Sequence, residues 1–425
     1  MKNKYMENER LSLVLFFSVA IMYAIIYMTK NCYSAAMVRL VEEGTLTKSQ
    51  TGTINAVFYL VYGAFQIPGG IAADRFSPYK LIALGFFGAT VSNALITVND
   101  NYYFMMAVWA FNAVVQFGVW PAIFKLVSQA LSPVHRHNGV FYITFASTLG
   151  LIMSYILAGA VSGWRMNFVV SAIALAVATL YWIVFGKIMD KKMVEEEPYH
   201  GNPHLPEAKV HDTEYTGSFV KLLISSGLVL VLPVVVLQSV FSLGIQAVAP
   251  SMFKESYNNI SSSFASLLTI IPIVVGVVGK FMVKAIYRKK VYNECLFMAM
   301  CLALIIPIFG VMLFVGKISM WIIVVLVSLV VLIAAASGML PFTYISVRFS
   351  KLGKGATVSG IINAMSALGI VVANYVSPRV ADAFNNNWVP VILVWMAFAL
   401  ISAIISFIAF FPWRRFVKKT PDYVD

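Results

Sequence analysis

The chain has 425 residues, of which 60% are hydrophobic and 12% charged, and it carries a formal net charge of +13. Soluble domains average roughly 45–50% apolar and about 25% charged residues, so a soluble chain of this length could not cover its apolar surface. The runs 11–29 and 81–98 hold no charge and reach the ~20 residues that cross ~30 Å of hydrocarbon, whereas strands of a membrane β-barrel alternate over about 10 residues. An all-α polytopic membrane protein is the expected class.

In chain order, apolar runs predict spans near 11–38, 51–73, 79–98, 102–127, 138–160 and 164–186. A second set follows near 219–249, 262–286, 291–315, 319–346, 355–377 and 388–411. These make twelve transmembrane helices in two pseudo-symmetric six-helix bundles, 1–186 and 219–425. Between them, 187–218 is rich in charge, Pro and His and has no hydrophobic period, which predicts a cytoplasmic linker. Its His200, His204 and His211 lack a folded frame, so no metal or cofactor is expected. Cys32, Cys295 and Cys301 fall inside apolar runs and read as buried small hydrophobes.

The basic residues lie in short runs between spans and form no basic domain, which argues against nucleic acid. They are distributed 22 against 6 between the two sets of loops and termini. By the positive-inside rule both termini face the cytoplasm of a plasma or inner membrane. Lys125 and Lys280 sit within about two turns of cytoplasmic span ends and are expected to snorkel. His135 reads as a solvated loop residue.

An internal repeat is visible at one offset. Gly118-Val-Trp-Pro121 returns as Gly338-Met-Leu-Pro341 after 220 residues, and Ser147-Thr-Leu-Gly150 as Ser366-Ala-Leu-Gly369 after 219. A shared offset is the mark of a duplicated six-span unit.

After span two comes Gly70-Ile-Ala-Ala-Asp74-Arg75-Phe-Ser-Pro-Tyr-Lys80. This resembles the cytoplasmic G-x-x-x-D-R signature of the major facilitator superfamily, and implies a latch in which Asp74 and Arg75 tie neighbouring helix ends during gating. Gly163-Trp164-Arg165 fits the same superfamily. A narrower resemblance runs through Tyr27-Met-Thr-Lys30-Asn-Cys-Tyr-Ser-Ala-Ala-Met37, Leu40-Val-Glu-Glu-Gly44, Asp74-Arg-Phe-Ser-Pro78 and Gln116-Phe-Gly-Val-Trp-Pro121. It is similar to the organophosphate:phosphate antiporters of glycerol phosphate and hexose phosphate. The resemblance implies alternating access, with phosphate held between an arginine in span one and another in span seven. Here those positions carry Lys30 and Ser242, while the family's span-two lysine and span-five histidine fall at Gln66 and Ser147. Lysine has no bidentate fork for phosphate, so the departures point away from a doubly charged ester.

Helical spacing supplies an independent pointer. Tyr23, Tyr27, Lys30 and Ser34 share one face of span one, and Asn55, Tyr59, Tyr62 and Gln66 share one face of span two. Polar stripes in apolar helices face a cavity or another helix. Lys30 stands near mid-membrane with no carboxylate at similar depth, since Asp74 and Glu294 are both at span ends. The predicted substrate-binding set is Tyr27, Lys30, Tyr62, Gln66, Gln116, Trp120, Ser147, Ser242, Gln246 and Asn363. The expected protein is a monomeric transporter of a small organic anion, carboxylate or phosphate ester. A carrier of neutral polar solutes and a non-transporting membrane sensor are the alternatives. No cluster of acids, histidines or nucleophiles suggests an enzyme.

Overall fold

A computed structural model describes residues 4–195, 218–257, 259–290, 293–350 and 354–419. Most of the expected linker, with its three histidines, therefore lies outside the described residues. The chain divides into two compact units, Met1–Pro206 and Glu207–Asp425.

In the first unit, span one is Glu9–Glu42, span two Lys48–Arg75 and span three Pro78–Leu95. Span four runs as Tyr102–Val115 and Val119–Lys125 and ends in the π-helical turn Leu126–Ala130. Span five is Pro133–Ala160 and span six Trp164–Lys191, which carries the helix past residue 186 before Val194–Glu195 pairs with Lys4–Tyr5. In the second unit, span seven comprises Phe219–Ser226, Leu228–Ser239, π-helical Val240–Gly244 and Ile245–Ser256. Span eight is Ser262–Leu268 with Ile270–Lys290, and span nine Glu294–Met312. Span ten joins Met320–Met339, π-helical Leu340–Ile345 and Ser346–Ser350. Span eleven is Gly355–Ala383 and span twelve Val389–Lys419. The fold is all-α and polytopic.

Local sequence explains where the helices start. Asn8, Asn101, Ser261 and Asn293 accept hydrogen bonds from first-turn amides that would otherwise be unpaired, and Thr47 with Gln50 forms a capping box. Pro78 and Pro133 occupy the first helical turn, where a missing N–H costs nothing. Among the described residues, ten helices are long and apolar enough to cross a membrane. Ile173, Val177, Leu180 and Val184 form an exposed apolar stripe on span six, the kind of surface a bilayer covers.

Within the first unit span one packs on five and six, span two on four, and span three on six. Within the second, span seven packs on eleven, eight on ten and nine on twelve. The repeated Ser-x-Leu-Gly motif explains one equivalence. A Cβ on Gly150 would meet the Ala24 carbonyl oxygen of span one at 2.3 Å, and a Cβ on Gly369 would meet the Val236 carbonyl oxygen of span seven at 2.1 Å. Both glycines allow backbone-to-backbone contact with the first helix of their own unit, which small residues permit in membranes. Gly150→Val should therefore lower stability by at least about 3 kcal/mol, since backbone must move to admit it. Gly310→Ala, where nothing lies within 4 Å, should be neutral or stabilising. Thermal unfolding in detergent reads the contrast, and equal melting temperatures would refute the packing role.

Lys125 Nζ donates to the Ala73 carbonyl at 2.7 Å, because the last turn of span two leaves carbonyls without helical partners. One expectation needs correction. His135 is not merely solvated, since its Nδ1 lies 2.9 Å from Ser132 Oγ and 3.1 Å from Ser12 Oγ. It ties the start of span five to span one.

Candidate functional site

Span one carries Lys30 well inside the helix, about 18 Å from its Glu42 end at 1.5 Å per residue. The side chain is only 6% exposed. No carboxylate of the described residues pairs with it. Its Nζ instead sits over the ring of Tyr27 at 4.2 Å and that of Tyr62 at 4.4 Å, with Tyr59 at 5.9 Å. Each such contact contributes about 0.5–2 kcal/mol. A charged lysine at this depth costs several kcal/mol, and the rings offset part of that penalty for the protonated form.

Lys30 opens into a narrow pocket lined by Tyr23, Ile26, Tyr27, Tyr62, Gln116, Val119 and Trp120. Tyr23 stacks on Trp120 at 5.0 Å and meets Tyr27 edge-on at 5.3 Å. Gln116 stands where span four breaks, between Val115 and Val119. Span two approaches that break closely: a Cβ on Gly69 would lie 2.0 Å from the Phe117 carbonyl oxygen.

The polar stripe of span two divides into two roles. Asn55 Nδ2 donates to Ser34 Oγ at 2.9 Å, and the Tyr59 hydroxyl donates to Asn31 Oδ1 at 3.1 Å. These bonds cement spans one and two. Tyr62 alone reaches the pocket, and Gln66 is within hydrogen-bonding reach of Tyr62. Gln66 Nε2 is buried without a hydrogen-bond partner.

Tyr27, Lys30, Tyr62, Gln116 and Trp120 thus meet in one pocket, and Ser147 reaches the Tyr23 hydroxyl. The remaining expected residues lie in the second unit. Gln246 Nε2 donates to the Ser242 carbonyl across the π-helical turn of span seven, and Asn363 is exposed on span eleven. The Asp74 side chain lies outside those described; Arg75 is exposed at the end of span two. Sequence reading overlooked Ile26, Val119 and Asn112. Asn112 stands one helical turn before Gln116 and accepts from its Nε2 at 2.8 Å, an i, i+4 amide pair that spacing alone would have exposed.

A family model described as the Major Facilitator Superfamily matches residues 19–374. The chain belongs to the major facilitator superfamily. Among solved superfamily-like structures, a bacterial homolog of the human lysosomal transporter Spinster, inward-facing and occupied, aligns with a TM-score of 0.74. It is 14% identical, and the match covers 98% of this chain and all of that one, which shows the fold alone. Among curated proteins, the membrane sensor protein UhpC of Salmonella typhimurium LT2 is 26% identical over 154 residues, 36% of this chain and 35% of that protein. A probable hexose phosphate transport protein of Chlamydia trachomatis is 23% identical over 154 residues, 36% of this chain and 34% of that one. A probable L-galactonate transporter of Escherichia coli K12 is 27% identical over 160 residues, 37% of this chain and 34% of that one. The chain spans about a third of the length of these curated relatives.

Proposed function

We propose that this superfamily member is a secondary transporter of a small polyhydroxylated monoanion, a sugar acid, with Lys30 as the cation that binds the carboxylate. The observation that carries the reading is the buried Lys30 ammonium, unpaired by any described carboxylate and opening into a pocket of tyrosine, tryptophan and glutamine. One ammonium is a point charge suited to one carboxylate; a phosphate ester brings up to two charges and favours the guanidinium fork. Hydroxyl-bearing walls at Tyr23, Tyr27 and Tyr62, with the amide of Gln116, offer hydrogen bonds to sugar hydroxyls; Gln66 is proposed to join them from behind Tyr62. Relatives named for L-galactonate and for hexose phosphate support a sugar-like anion, and Lys30 favours the acid over the ester. The positive-inside count supports a plasma-membrane protein with cytoplasmic termini.

Uptake of labelled D-galactonate and D-glucuronate into proteoliposomes tests the reading, with glucose 6-phosphate and glucose as competitors. Saturable sugar-acid uptake insensitive to both competitors is expected. Preference for the phosphate ester would replace the substrate class. Uptake of glucose alone would favour a neutral-solute carrier. Ligand-dependent thermal stabilisation without flux would favour the sensor role that UhpC's name suggests.

Asp74 and Arg75 are proposed to gate. Asp74→Asn and Arg75→Ala should slow uptake at least about tenfold while equilibrium binding of the same acid stays within about twofold, because a turn at a helix end biases the cycle and not the pocket. Wild-type rates in both variants would make the turn an ordinary one.

A further inference from the structure

Asn112 is completely buried on span four and lines no part of the pocket, yet it holds the Nε2 of Gln116, which does. A primary amide has two ends, a donor and an acceptor, and either can face a ligand. Asn112 Oδ1 holds one of the two Nε2 hydrogens of Gln116 at 2.8 Å, and the Gln116 carbonyl oxygen is the acceptor left for the pocket. Gln66 Nε2, by contrast, is buried without a hydrogen-bond partner. Lys30 has only donors to give.

Resting on the sugar-acid reading above, we propose that Asn112 is a positioning residue that fixes Gln116 as the pocket's hydrogen-bond acceptor for one substrate hydroxyl, and so sets selectivity for hydroxylated over deoxygenated acids. The carboxylate goes to the donor Lys30, and a hydroxyl hydrogen goes to Gln116 Oε1. A substrate lacking that hydroxyl leaves a buried carbonyl unpaired, which sites built for a hydroxyl penalise strongly.

The test compares gluconate with its monodeoxy analogues in competition for binding to the full-length protein in detergent. Wild type should reject one deoxy analogue by at least about tenfold, the cost of one unmet buried hydrogen bond. Gln116→Met should erase that discrimination by removing the acceptor. Asn112→Leu should erase it as well, with gluconate affinity falling and affinity for the discriminated analogue unchanged. The double variant should match either single variant, because both remove the same interaction. A purely structural role for Asn112 would weaken gluconate and all analogues equally, and that result would overturn the proposal. Full discrimination retained in Asn112→Leu, or additive losses in the double variant, would overturn it too. If wild type bound no sugar acid at all, the parent reading would fall and this inference with it. Binding with flat selectivity in wild type would sink this inference alone.

Discussion

Lys30→Gln should abolish saturable sugar-acid uptake and leave the protein folded. The ammonium lies between the faces of Tyr27 and Tyr62, 4.2 and 4.4 Å from their centroids, with no described carboxylate to neutralise it. An anion entering the pocket meets a cation that water does not screen, and attraction there exceeds its value in bulk solvent. Removing one member of such a desolvated charge pair typically costs about 2–5 kcal/mol, or roughly 30- to 5,000-fold in affinity. Glutamine keeps the approximate reach and loses only the charge. The melting temperature without substrate should hold or rise, because the change removes an uncompensated intramembrane charge. Lys30→Arg separates the two anion classes. A carboxylate site shaped around an ammonium should lose affinity, whereas a phosphate site should tolerate or prefer the guanidinium. Normal uptake by Lys30→Gln would end the anion hypothesis.

The second large effect is on stability, at the start of span nine. Glu294, 1% exposed, pairs with Arg348 of span ten at 2.8 Å and accepts from Trp413 Nε1 of span twelve at 2.7 Å. Three helices converge on one carboxylate. Glu294→Leu removes the carboxylate that pairs with buried Arg348 and should cost about 3–5 kcal/mol. Replacing both, Glu294→Leu with Arg348→Leu, should recover most of that loss, since apolar replacement of an entire buried pair is often neutral. Thermal unfolding of the two singles and the double measures the coupling. Simple additivity would show that the pair is energetically idle.

The architecture was legible from sequence because long uncharged runs leave the chain few choices in a bilayer, and the expected spans coincide with the observed helices to within a few residues at most ends. The repeat was legible as pattern, but not its cause, since nothing local shows that Gly150 and Gly369 touch carbonyls of a distant helix. Lys30 stood out because charge is rare at that depth. The rings that solvate it did not, because Tyr27 lies on its own helix and Tyr62 comes from the next. The stripe of span two misled in part: Asn55 and Tyr59 have the same spacing as Tyr62 and Gln66, yet they bond to span one. Arg348 was hidden among the basic residues that flank spans, and its partner is 54 residues away. Asp74 and Glu294 looked alike in sequence, as carboxylates at span ends.

The cement between spans one and two has a further consequence. Asn55–Ser34 and Tyr59–Asn31 hold Tyr62 in fixed register with Lys30, so the ammonium and its rings belong to a single rigid part. On the proposed transport reading, contacts within that part travel with it, so a difference in affinity between two access states would come from residues outside it or from water reaching the ammonium.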